Sequence, residues 1–329
     1  MRCSAVLLRA STTSMARTNS DSDRPLSGLN GVRPPAPEWY RVLSAIPTET
    51  LRVDVHGASI EVLAWGQRGR TGILLAHGSR AHAGWWIAVA PLLSKTMRVV
   101  ALSYSGMGGS DWRDNYSIDL EVEELFGAAH AGGLFGNDAP PCFVGHSFGA
   151  KAVARAAELR GDELAGAILV DSAMIPHEQH RTIGVPDTPR RYPTLAAALA
   201  RFQLAPPQTC ENLFIIDEVA RAGLVQDEGG WRWRFDPGFR HKLQPYDTWQ
   251  SIQRAACPLG FIYGENSTLL NETILSAQRE RAAPGTQFTG IPMAAHHVMF
   301  DQPVALSVAI QSMMFGFNAY RAQVERLRG

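Results

Sequence analysis

The chain predicts an α/β fold: a mostly parallel, eight-stranded sheet flanked by helices, with a mainly helical cap inserted after the sixth strand. Three observations carry this expectation. A pair of alternating segments comes first, six continuous apolar runs follow it, and the spacing between those runs breaks once. Residues 51–55 and 60–65 alternate apolar and polar side chains around His56-Gly57, as an antiparallel hairpin does. The runs at 72–76, 99–102, 142–144, 167–170, 259–263 and, more weakly, 287–291 are each followed by helix-compatible sequence. Strands apolar on both faces belong to a parallel sheet covered by helices. About 85 residues separate Val170 from Leu259, where a βα unit needs about 30. Residues 174–250 therefore read as a cap, and residues 41–173 with 251–329 as the core. Within the cap, Trp231, Trp233 and Phe235 fall on one face of an extended segment, either as cap core or as pocket lining.

The first 40 residues differ. Ser, Thr and Arg dominate the first 30, and no acid precedes Asp21. A transit peptide has this composition, but no amphipathic helical pattern is sustained. The segment is expected to be a disordered or loosely attached tail, closed by Pro34-Pro35-Ala36-Pro37, with Met15 as a second possible start.

Bulk composition narrows the function classes. The 329 residues are 45% hydrophobic, enough for a large core, and 31 basic residues balance 31 acidic ones. Zero net charge gives no global pull toward nucleic acid or an anionic membrane. No apolar run approaches the ~20 residues that span a bilayer. Cys3, Cys142, Cys210 and Cys257 show no CxxC spacing, so neither a zinc site nor a disulfide framework is readable. A reducing, cytoplasmic setting, a small-molecule partner, and a monomer or homodimer are the expectations that follow.

The chemistry concentrates at Gly145-His146-Ser147-Phe148-Gly149. It lies between an apolar run and an alanine-rich helical stretch. A Gly-x-Ser-x-Gly on a strand-to-helix turn is a nucleophile elbow: the tight turn pushes the serine out in front of a helix N-terminus. Ser147 is thus the candidate nucleophile. Cys142, its near rival, lies inside the strand. An ester carbonyl also needs a base, a group that orients the base, and donors for the oxyanion.

His296 follows the last expected strand in Ala294-Ala295-His296-His297-Val298-Met299-Phe300-Asp301-Gln302-Pro303. Here the chain strongly resembles the α/β-hydrolase fold superfamily, in its serine-nucleophile branch. In that superfamily the catalytic histidine sits on the loop after the final strand, ahead of an acid-x-Pro. The resemblance covers roughly residues 50–315 and selects His296 over His297. It also implies an oxyanion hole from the backbone N–H of Phe148 and of Ser79, the latter in Ala76-His77-Gly78-Ser79, with His77 structural. Trp85 and Trp86 on the same loop are expected to wall the acyl pocket or to pack in the core. Ser103 to Ser110 resembles a family turn whose Asp and Arg are here Ser103 and Ser105.

The acid is the departure. Most relatives place it after the seventh strand, where this chain has Gly264-Glu265-Asn266-Ser267, and Ser267 stands at the expected aspartate. Asp171, at the end of the sixth strand, is the first candidate. Glu265 is the alternative, and a chain without a functional acid is the third. The resemblance implies a cofactor-free, metal-free hydrolase of a carboxylic ester or lactone, and the cap's own aromatics, Trp231 and Trp233 among them, favour an apolar substrate beside them. Two other readings stay open: a perhydrolase or carbon–carbon hydrolase, and a non-catalytic ligand-binding protein on the same fold.

Overall fold

A computed structural model describes residues 24–136, 139–175 and 188–328. The expected transit or disordered segment at residues 1–23 lies outside them. The opening hairpin follows from its turn. His56 and Gly57 both take positive φ, 48° and 79°, which matches the twist of the strands that a two-residue turn joins. β1 (Glu49–Val55) and β2 (Ala58–Trp65) pair antiparallel across it. β3 (Gly72–Ala76), β4 (Arg98–Leu102), β5 (Cys142–His146) and β6 (Gly166–Val170) are buried at every position, as strands covered on both faces must be. β7 (Arg191–Tyr192), β8 (Leu224–Asp227) and β9 (Gly230–Trp233) form a separate antiparallel sheet, and β10 (Leu259–Gly264) and β11 (Gln287–Ile291) complete the main one. The order of the eight-stranded main sheet is β1-β2-β4-β3-β5-β6-β10-β11, parallel from β4 onward.

The helices follow in chain order: α1 (Glu38–Ser44), α2 (Ala90–Leu93), α3 (Ile118–Gly132), α4 (Phe148–Arg160), α5 (Leu195–Leu199), α6 (Leu213–Ala222), α7 (Phe239–Lys242), α8 (Ser251–Arg254), α9 (Glu272–Arg281), α10 (Val298–Asp301) and α11 (Pro303–Arg328). Alternate residues of each central strand feed opposite cores. Ile73, Leu75, Val99 and Val144 join Trp86, Leu93 and the α11 residues Ile310 and Met313 on one face. Leu74, Val100, Phe143 and Ala167 join Val122, Leu125 and Val153 of α3 and α4 on the other. α11 buries Leu306, Ile310, Met313, Met314 and Phe317, the three-four spacing of one helical stripe. α3 starts where the Ser117 hydroxyl accepts the Leu120 N–H at 3.1 Å and stops at Gly133 with φ 77°.

Two expectations need correction. Residues 24–40 are not a loose tail. Leu26 is buried in the main core, Tyr40 Oη donates to Glu218 at 2.6 Å, and Arg221 donates to the Gly31 carbonyl at 2.7 Å. Tyr40 packs on Phe214 of α6, and Leu26 and Tyr40 belong to the core that the main sheet and the insert share. The insert itself is mixed among the described residues: α5, α6 and α7 stand beside the β7-β9-β8 sheet. Its apolar residues Leu199, Ile215, Ile216 and Val219 belong to the same core as Trp85 and Trp86.

Candidate active site

Ser147 caps α4 at the end of β5 with φ 53° and ψ −119°, a conformation that costs a non-glycine residue about 1–3 kcal/mol. The surrounding backbone fixes it. Ser147 N–H donates to the Val170 carbonyl at 2.9 Å, and the Ser147 carbonyl accepts from Ala150 at 3.1 Å. Glycines make the turn possible: a Cβ at Gly145 would overlap the backbone of Gly149 and Ala150, and one at Gly149 would overlap the His77 carbonyl. The His77–Ser79 loop therefore lies directly against the elbow. A Cβ built at Gly78 would stand 3.2 Å from the Ser147 Cβ. Phe148 is the first residue of α4, so its N–H is among the helix donors with no intrahelical acceptor. Ser79 is half-buried beside it in the chain order of that loop, ahead of Arg80 with φ 58°.

The structure brings His296 and Asp171 together. His296 Nδ1 lies 2.7 Å from Asp171 Oδ1, with both side chains buried. A carboxylate only accepts, so Nδ1 carries the proton and Nε2 keeps its lone pair. Two further donors hold Asp171: the Gly264 N–H on Oδ2 at 2.8 Å and the Ser267 hydroxyl on Oδ1 at 2.7 Å. Such donors offset the cost of taking a carboxylate out of water. Ser267 thus stands as a hydrogen-bond donor to Asp171, the first candidate acid. No local sequence signal marks this contact, because Ser267, on the loop after β10, reaches Asp171 at the end of β6. Glu265, the alternative acid, is exposed and lies along Gly290 at the sheet edge, away from His296.

Three other histidines around the elbow and the histidine loop, His77, His146 and His297, are held by neighbouring groups. His77 Nδ1 donates to the Gly78 carbonyl at 2.7 Å while Nε2 accepts the Tyr104 N–H at 3.1 Å, and burial pushes its pKa down to about 3. His146 donates from Nε2 to the His296 carbonyl at 2.9 Å. Burial, then the neighbouring His296, holds its pKa well below the usual range. His297 contacts Gln208 of the insert through Nδ1 at 2.8 Å and through its backbone N–H at 2.9 Å. Burial also depresses its pKa. Asp301 accepts from Ala295 N–H at 2.8 Å and from Gln208 Nε2 at 2.9 Å, so the acid of the acid-x-Pro segment pins the histidine loop.

The aromatic expectations divide. Trp86 is fully buried, and Trp85 is buried against His297 and Phe300, with ring centroids at 5.4 and 5.0 Å. Both belong to the core, not to a pocket wall, because the insert covers their loop. Trp231 is half-buried against that same core. Trp233 lines a cavity of about 300 Å³ with Arg80, Arg190, Tyr192, Phe235 and Pro237. Phe148 and Phe235 join one aromatic cluster with Met107, Tyr116 and Phe239, so the elbow and the insert share a wall. A second cavity of about 360 Å³ reaches His296 between Gln208, Asn212, Asn266 and Met293. Among the described residues, no group of three or more His, Cys, Asp or Glu side chains is placed to hold a metal ion, and no helix is long and apolar enough to cross a membrane.

Known proteins resemble this chain to different extents. A family model described as "Alpha/beta hydrolase family" matches residues 73–309. Lipase LipV of Mycobacterium tuberculosis is 30% identical over 122 residues, which cover 37% of this chain and 43% of the lipase. The match thus spans less than half of that relative. Among solved structures, the thioesterase domain from the curacin biosynthetic pathway superposes with a TM-score of 0.63 at 23% identity, covering 80% of this chain and 99% of that domain. A novel esterase from Mycobacterium tuberculosis gives 0.62 at 21% identity, covering 91% and 99%. These two likenesses speak for the fold.

Proposed function

We propose, from the premise that the chain belongs to the alpha/beta hydrolase family, that it is a serine hydrolase cleaving a carboxylic ester through an acyl-enzyme. The observation that carries this reading is the 2.7 Å contact between His296 Nδ1 and Asp171 Oδ1, which leaves His296 Nε2 as a base on the loop beside the elbow. In the proposed cycle His296 takes the Ser147 hydroxyl proton as Oγ attacks the ester carbonyl. The N–H groups of Phe148 and Ser79 donate hydrogen bonds to the developing oxyanion. His296 then returns the proton to the departing alkoxide, the alcohol leaves, and the acyl group stays on Ser147. Water enters and attacks the acyl carbon while giving a proton to His296, and His296 passes that proton to Ser147 Oγ as the Oγ–acyl bond breaks, which releases the carboxylic acid and free Ser147. Asp171 stabilises the imidazolium in both halves without itself taking the proton.

The lipase and esterase relatives support an ester substrate, as does the apolar wall of Trp233, Phe235 and Phe148. The departure at Ser267 no longer favours a binding-only protein, because its hydroxyl serves Asp171. The test is labelling with a neutral fluorophosphonate together with turnover of 4-nitrophenyl acetate and butyrate. Wild type is expected to be labelled and active, and Ser147→Ala to be neither. Absence of both in folded wild type sinks the proposal.

A further inference from the structure

The cavity beside the proposed oxyanion loop carries more positive charge than its surroundings balance. Arg80 follows Ser79 directly, holds φ 58°, and sets its guanidinium 5.5 Å from the centre of the Phe235 ring. Arg190 stands on the opposite side of the same cavity, 5.4 Å from the ring of Tyr192. Arg240, from α7, is close enough to repel Arg80. All three arginines are exposed to solvent, so the Arg80 guanidinium is partly hydrated while it packs on the Phe235 ring.

Among the described residues, none of these three arginines has a carboxylate within ion-pair distance, whereas four other arginines of the insert do. Arg191 and Arg232 share Asp227, Arg221 holds Asp217, and Arg234 reaches Glu61. Like charges gathered against an apolar wall without a counter-ion are unfavourable on their own. They become favourable when an anion enters, and guanidinium forks suit a carboxylate better than any other protein cation does. Aromatic faces under two of the guanidiniums hold them in place by cation–π attraction. A volume of about 300 Å³ accommodates a short chain with one terminal charge.

We propose that this cavity binds the carboxylate of an anionic substrate, so that the preferred ester is one bearing a free carboxylate a few atoms from the scissile bond. This rests on the serine-hydrolase reading above and names its substrate class. Arg80, next to the proposed oxyanion donor Ser79, and Arg190 provide the contacts to the carboxylate, and Arg240, outside the cavity lining, adds positive charge from α7. The walls of Tyr192, Trp233 and Phe235 take the intervening chain.

Two matched pairs of esters test it. 4-Nitrophenyl hemiglutarate against 4-nitrophenyl pentanoate puts the charge on the acyl side. 4-Acetoxybenzoate against its methyl ester puts the charge on the leaving group. In wild type at least one charged ester is expected to exceed its neutral partner in kcat/KM by about tenfold, the scale of one charge-assisted hydrogen bond. The favoured pair tells which side of the ester enters the cavity. The charged-to-neutral ratio is expected to collapse toward unity in Arg80→Gln and to fall in Arg190→Gln and Arg240→Gln. It should recover in part in Arg80→Lys and shrink as salt is added.

Because the readout is a ratio within each variant, a general loss of activity does not imitate it. Should Arg80→Gln fail to fold, the variants at exposed Arg190 and Arg240 carry the same reading. A wild type with no preference for either charged ester overturns the proposal, as does a preference that survives all three substitutions. If Ser147 resists the fluorophosphonate and none of the esters turns over, the hydrolase reading has failed separately. The anion site is then judged by calorimetric titration of monomethyl glutarate. Heat in wild type that disappears in the Arg80 variant supports it, and no heat in wild type overturns it.

Discussion

Asp171 is held by three donors that come from different parts of the chain, and their removal should not be equivalent. Asp171→Asn keeps the shape but presents an amide to His296, which favours the wrong imidazole tautomer and removes the charge that stabilises the imidazolium. A fall in kcat of roughly 10³–10⁴ is expected. Ser267→Ala leaves the carboxylate with the Gly264 N–H and His296. It should cost about tenfold, the worth of one hydrogen bond to a charged group. Glu265→Gln should change nothing, since that side chain is exposed and away from His296. Turnover of 4-nitrophenyl butyrate by the three variants, with Ser147→Ala as the blank, orders them. A Glu265 variant as impaired as the Asp171 variant would reverse the assignment of the acid.

Elements are joined by a few buried polar side chains, and two of these make separable predictions. His82 donates from Nε2 to the Val219 carbonyl of α6 at 3.0 Å and accepts the Gly84 N–H on Nδ1 at 3.1 Å. It thereby ties the loop after β3 to the insert. Burial is the main cause of its pKa falling to about 4, with Glu61 and Arg234 acting in opposite senses. The folded form thus stays neutral while the unfolded chain takes up a proton near pH 6.5. Between about pH 6.5 and 4 the unfolded state binds more protons, so stability falls as pH is lowered, by about 3 kcal/mol once pH 4 is reached. His77, at about 3, adds in the same direction. Urea unfolding followed from neutral to mildly acidic pH should show this loss, and His82→Gln should flatten it. An unchanged slope in that variant would remove His82 from the account. Arg98 makes the second staple. Its buried guanidinium donates to the carbonyls of Gly66 and Gly132 at 2.7 and 2.9 Å and to Glu49 at 2.6 Å, joining β4, the end of β2 and the end of α3. Arg98→Met orphans two carbonyls and should destabilise by about 3 kcal/mol. Glu49→Gln should cost under about 1 kcal/mol, because that carboxylate is half exposed. Equal losses in denaturant melts of the two variants would contradict this division.

At the scale of the whole molecule, what the sequence made legible was what local pattern encodes. The eight main strands, the elbow at Ser147 and the histidine loop all announce themselves through runs, glycines and spacing. Ser267 was not legible as a partner of Asp171, because their contact joins β6 to the loop after β10 and no local pattern records that pairing. Local pattern does not decide between pocket wall and core for Trp85 and Trp86, nor the docking of residues 24–40, for one shared reason: both depend on where the insert docks. That docking is extensive. Leu26, Tyr40, Trp85 and Trp86 share one buried core with Leu199, Phe202, Ile215, Ile216 and Val219 of the insert. Asn212 donates to the Phe300 carbonyl at 2.7 Å, and Gln208 bridges His297 and Asp301. A cap with its own core would melt by itself, whereas one that completes the core of the main sheet must melt with it. A single calorimetric transition is therefore expected, with calorimetric and van't Hoff enthalpies in agreement. Ile216→Ala, deep in the shared core, should lower its midpoint as one event by about 2–5 kcal/mol of stability. Two resolved transitions, with only the earlier one moved by that substitution, would make the insert an independent unit.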